Sequence, residues 1–110
     1  MNRIAMSATA AGLLRALLAR AAVPRDRILL TDVQSDDWQS LTFVGERHRF
    51  ALRVPGEDSR EVATRLTGGL EDAEFSIPGQ IVADIAVTEP PQRAFDGSTC
   101  VTIEALTIEE

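Results

Sequence analysis

The only histidine in the chain, His48, lies in the stretch VGERHRF (residues 44–50), between Arg47 and Arg49 and two residues after Glu46. An imidazole titrates near neutral pH and is the side chain most often used as a general base. A base needs an orienting partner, and Glu46 is the nearest acid in the sequence. The simpler reading, preferred here, is a charged turn whose histidine packs its ring. Arg47, Arg49 and Arg53 share one side of an extended segment. They could bind an anion there, or pair across strands with acids such as Asp84 or Glu104.

Other residue types that could do chemistry are isolated. Asp36 and Asp37 stand beside Trp38, but a hard cation takes six or more oxygen ligands and neighbouring strand residues point to opposite sides. Cys100 is the single cysteine. One thiol forms neither an internal disulfide nor a cysteine-rich metal site, and a nucleophilic role would need a base beside it. Gly68-Gly69 lacks the lysine of a phosphate loop and the spacing of a dinucleotide fingerprint. No catalytic residue, metal site or cofactor is therefore expected, although the sequence does not settle whether the protein is an enzyme.

Charge narrows the partners. The net charge is −6, and all 11 basic residues are arginine, which we read as the coding bias of a GC-rich bacterial genome. The balance argues against nucleic acid, which needs a basic footprint, and against anionic membranes. Residues 1–55 carry eight Arg and five acids, a net of +3; residues 56–110 carry three Arg and twelve acids, a net of −9. The halves are expected to neutralise each other within the fold or across a dimer. The opening residues 1–23 resemble a targeting segment in their early arginine and late small residues. Arg15 and Arg20 interrupt the apolar run, which is too short for a secretory core or a membrane span. A cytoplasmic location is the simplest expectation.

The elements that would position these groups form one α+β domain of 110 residues. Ser7 caps a helix expected over residues 8–22, with Ala10, Leu13, Leu14, Leu17, Leu18 and Ala21 on its buried stripe. Pro24 ends it. Strands are expected at Ile28–Val33, at Trp38–Val44 and at His48–Val54. Gln34–Asp37 reads as a turn, and Gly45-Glu46 as a two-residue turn pairing Phe43 with His48 and Leu41 with Phe50. Asp58 and Glu61 suggest a capping-box-like start to a second helix over residues 59–67, with Val62, Ala63 and Leu66 inward and Gly68-Gly69 as the stop.

Residues 70–77 remain open, and Pro78-Gly79 predicts a type II turn. Ile81, Ala83, Ile85 and Val87 are expected inward on the next strand. The last strand begins with Val101 and Ile103 inward, then shifts to Leu106 and Ile108 through a bulge near Glu104-Ala105. The order α-β-β-β-α-β-β implies a two-layer sandwich: a mostly antiparallel sheet with two helices on one face. By analogy this is a ferredoxin-like sandwich with a permuted chain, which says nothing about activity.

The outer face is then expected to carry Val44, Ala51, Val82 and Ala86 among Thr42, Thr88, Thr102, Arg49, Arg53, Asp84 and Glu104. Small apolar residues ringed by paired charges suggest a covered surface. The favoured expectation is a non-catalytic interaction or assembly module, with a second copy of itself or another protein as partner. The alternative is a small-ligand binder or enzyme with a site near Trp38, His48, Arg49 and Arg53. A nucleic-acid module using Arg47, Arg49 and Arg53 is the weakest reading.

Overall fold

The computed structural model describes residues 6–110; Met1–Ala5, the start of the candidate targeting segment, lie outside the described residues. Helix α1 spans Ala8–Arg20. Ser7 adopts an extended conformation and its hydroxyl accepts the Ala10 N–H at 3.1 Å, which satisfies one free donor of the first turn. All six residues of the expected stripe are buried. The helix closes earlier than residue 22, because Ala22 turns into the left-handed region at φ +56° ahead of Pro24.

Two long strands follow, β1 (Leu29–Gln39) and β2 (Val44–Val54), joined by a reversal at Ser40–Phe43. Gln34–Asp37 is therefore strand, not turn, and Gly45-Glu46 lies inside β2. His48 pairs with Ser35 and Phe50 with Val33, in place of the expected Phe43 and Leu41. Ser40 supplies the turn chemistry: its hydroxyl accepts the Phe43 N–H at 3.1 Å. Moving the turn to this serine lets both strands pair over eleven residues. That ladder outweighs the weak strand propensity of Gln-Ser-Asp-Asp.

Helix α2 spans Ser59–Thr67 as expected, with Val62, Ala63 and Leu66 buried. Its capping box is not formed. The Asp58 side chain makes no cap hydrogen bond and instead takes Arg27 in an ion pair at 2.5 Å. That hydrogen bond is the main reason its carboxyl titrates below the ordinary range. Gly69, left-handed at φ +65°, ends the segment, and Leu70–Asp72 form a short 3-10 turn. The type II turn at Pro78-Gly79 is present, with the Gln80 N–H donating to the Ile77 carbonyl at 3.0 Å and Gly79 at φ +74°.

Strand β3 (Gln80–Val87), the two-residue β4 (Gln92–Arg93) and β5 (Thr99–Glu109) complete an antiparallel sheet. Its order is β1-β2-β5-β3, with β4 beside β5. The chain is thus an α+β sandwich of two helices and five strands. The five strands divide two and three around α2. The crossover β2-α2-β3 spans the intervening β5, the split β-α-β arrangement of a ferredoxin-like sandwich.

Both helices cover one face. The core joins the α1 and α2 stripes to Phe50, Leu52 and Val54 of β2 and to Val101, Ile103 and Ala105 of β5. Two bulges interrupt the ladders, at Thr31 on β1 and at Ala83 on β3. No bulge occurs in β5, so its odd positions stay inward as far as Thr107. The expected shift at Glu104-Ala105 is thereby corrected. Among the described residues the two ion pairs are Arg27–Asp58 and Arg53–Asp96. Each joins an arginine of the basic half to an acid of the acidic half.

Candidate functional site

His48 is not at a hairpin tip. It stands in the middle of β2, fully buried, on the helix-covered face. Ser35 Oγ lies 2.8 Å from Nδ1, and Thr107 Oγ1 lies 2.9 Å from Nε2. The Thr107 hydroxyl also donates to the Glu46 carbonyl at 3.4 Å. With that proton committed, Nε2 carries the ring hydrogen and donates to Thr107, while Nδ1 accepts from Ser35. The ring stacks near Phe50 at a centroid distance of 6.1 Å. Burial lowers the imidazole pKa, and the nearby Glu46 carboxylate partly opposes this. The result is a neutral, fully hydrogen-bonded histidine with no access to a substrate.

The residues opposite the helices follow from the strand register, since directly paired residues share a face. Five rows cross the sheet there. The first holds Trp38, Gly45, Ile108 and Ile81; the second Asp36, Arg47, Leu106 and Asp84. The third holds Gln34, Arg49, Glu104 and Ala86; the fourth Asp32, Ala51 and Thr102; the fifth Leu29, Arg53, Cys100 and Gln92. Arg47 and Arg49 each stand opposite an acid, Asp36 and Glu104. Arg53 binds Asp96 and donates from Nε to Ser98 Oγ at 3.0 Å. Cys100 is exposed beside it, on the opposite face from His48.

Three residues expected on this face are elsewhere, and the first, Thr42, lies in the Ser40–Phe43 reversal. Val82 pairs with Thr107 and packs against the core, because the Ala83 bulge reverses the parity of β3. Val44 has the inward parity of His48 but lies at the sheet end, 53% exposed, beside Thr9 of α1. Asp84 and Ala86 do lie on the outer face. Trp38, His48, Arg49 and Arg53 do not form one pocket. His48 is on the other side of the sheet, and the Trp38 and Arg53 rows are separated by about 26 Å, eight residues of β2.

Leu106, Ile108 and Ile81, expected in the core, face outward instead. Ile81 is 51% exposed, and Trp38, Leu106 and Ile108 are half-buried. At this end of the sheet the usual pattern is inverted: Ser35, Glu46, His48 and Thr107 point in, while Trp38, Ile81, Leu106 and Ile108 point out. Gly45 holds the row together. A Cβ there would meet the Thr107 carbonyl oxygen at 1.9 Å, so only glycine allows this approach of β2 to β5. The unbroken odd-numbered alternation of Val101, Ile103, Ala105 and Thr107 was the sequence signal for this arrangement.

A cleft of about 320 Å³ lies on the other side, between α2 and β4, lined by Arg60, Ala63, Thr64, Pro91, Arg93 and Thr99. Sequence alone does not join Arg60 to Arg93, 33 positions apart. Among the described residues, no cluster of three or more His, Cys, Asp or Glu is placed to hold a metal ion, and no helix is long and apolar enough to cross a membrane. No protein-family model matches the chain, and no curated protein matches it.

Proposed function

We propose that the protein is a small bacterial interaction module that assembles as a two-fold dimer through the helix-free face of its sheet. The observation that carries this reading is the inverted patterning at one end of the sheet. Four large apolar side chains face out at the end of the sheet where the buried His48 and Thr107 and the half-buried Ser35 and Glu46 face in. A solvated antiparallel face would be polar at those positions.

The face suits a second copy of the chain. Arg47 and Arg49 stand beside Asp36 and Glu104, and Asp84 lies beyond Leu106 in the Arg47 row, so charges of both signs can meet their opposites across a two-fold axis. Four strands spaced by about 4.8 Å and roughly ten residues long present a flat area near 600 Å². Side-chain relief brings that close to the ~800 Å² per partner of a stable interface. The outermost strands β1 and β3 each carry a bulge, a device that discourages pairing by sheet extension. Association by the face is the route left open. A nucleic-acid role for the same arginines has less support, because each has an acid beside it. A free, exposed Cys100 fits a reducing cytoplasm.

Light scattering across a wide concentration range tests the proposal, with Ile81→Lys as the variant. Ile81 is half exposed on an outermost strand, where lysine is well tolerated. The expected result is a wild-type dimer and a folded, monomeric variant whose melting temperature falls only by the mass-action stabilisation that the dimer supplied. A wild-type monomer at every concentration, or an unchanged variant mass, would overturn it. Val82→Lys cannot serve, because it places a charge against the core.

A further inference from the structure

We propose that the cleft between α2 and β4 is a binding site for a small organic anion, one carrying a carboxylate or phosphate group beside an apolar portion. The cleft lies on the helix side of the sheet, independent of the face discussed above.

Its donors point to this ligand class. Thr64 Oγ1 already donates to the Arg60 carbonyl at 2.9 Å. Ser59 Oγ donates to the Gly97 carbonyl at 2.9 Å, so its 2.8 Å contact with Thr99 Oγ1 uses the threonine proton. Every hydroxyl proton lining the cleft is thus committed within the protein. What remains for a ligand is the guanidinium N–H groups of Arg60 and Arg93. Neither arginine makes an ion pair among the described residues, and no acid lines the cleft itself.

Arg93 faces α2 because it pairs with Thr99, which is buried on the helix side. Two arginines from different elements thereby line one concavity. Their planar donor forks match carboxylate and phosphate oxygens. Ala63 and Pro91 supply an apolar wall for the rest of the molecule. Arg60, Thr64 and Arg93 also border the adjoining outer groove, where Glu57, Asp58 and Glu61 stand with Arg65. These acids leave room for a compact anion and disfavour an extended polyanion.

Benzoate and inorganic phosphate are the probes, with benzamide as the uncharged counterpart of benzoate. Backbone amide shifts of the full chain are followed during titration of wild type, Arg60→Gln and Arg93→Gln. Both arginines are exposed, and melting curves verify that the variants fold. The expected result is saturable shifts at Ala63, Thr64, Arg93 and Thr99 with benzoate, phosphate or both, weakened about tenfold or more by either substitution. A response to benzoate alone assigns a carboxylate ligand, and to phosphate alone a phosphorylated one. Equal shifts with benzamide, shifts unaffected by both substitutions, or no saturable shift with either anion would overturn the proposal.

Discussion

Replacing Thr107 by valine removes one hydroxyl and almost no volume, and it isolates the energetics of the buried His48 network. Thr107 is fully buried and is the acceptor for His48 Nε2–H at 2.9 Å. Valine leaves that N–H with no partner and no path to water. An orphaned buried donor costs about 1–3 kcal/mol. For a chain of this size the unfolding entropy converts each kcal/mol to roughly 4 °C. The Thr107→Val protein is therefore expected to melt about 4–12 °C below wild type.

The cost arises from a missing partner, not from lost packing. Adding His48→Leu, which removes the donor itself, should restore part of the loss. Urea unfolding followed by far-UV circular dichroism, at one fixed protein concentration so that self-association contributes equally, yields the double-mutant cycle. A Thr107→Val stability within about 0.3 kcal/mol of wild type, or a double variant weaker than the sum of the two single variants, would refute the reasoning.

Three further outcomes are expected. Burial lowers the His48 pKa in the folded chain, so between that value and the unfolded 6.5 the unfolded chain binds more protons. Stability should be full above pH 6.5 and fall with acidification below it, by at most about 1.4 kcal/mol per pH unit from this group; a pH profile unchanged by His48→Leu would exclude the effect. Gly45→Ala should cost about 2 kcal/mol or more, because the added carbon meets the Thr107 carbonyl oxygen at 1.9 Å, as read from a denaturant midpoint. Ala22→Gly should raise the melting temperature slightly. Relief of the left-handed strain at φ +56°, about 1–2 kcal/mol, exceeds the roughly 0.4–1 kcal/mol of added chain entropy.

Both helices were legible because their signals are local. The stripe of α1 repeats with the helical period and is closed by Ser7 and Pro24, and Gly68-Gly69 stops α2. The turn at Pro78-Gly79 was legible because only its own residues set its geometry. The α+β class followed from the same patterns. What sequence could not decide was register, because register depends on residues far apart. Gln34–Asp37 reads as a turn yet pairs as strand, since β2 offers a partner along its whole length. Gly45 reads as a turn glycine; it is required because a backbone more than sixty residues later passes too close for a side chain.

The bulges at Thr31 and Ala83 left no local mark, and each reversed the facing of its strand between the residues before it and those after it. That slip turned Val82 inward and Ile81 outward. Tertiary pairing also gathered Ser35, His48 and Thr107 inside, where each satisfies another. It left Trp38, Leu106 and Ile108 on the open face and brought Arg60 and Arg93 to one cleft. The sequence by itself determined both helices, the Pro78-Gly79 turn and an α+β sandwich, because turns, caps and periodicity act over a few residues. Which side chains meet, and which face stays uncovered, was decided only when distant strands fixed their register.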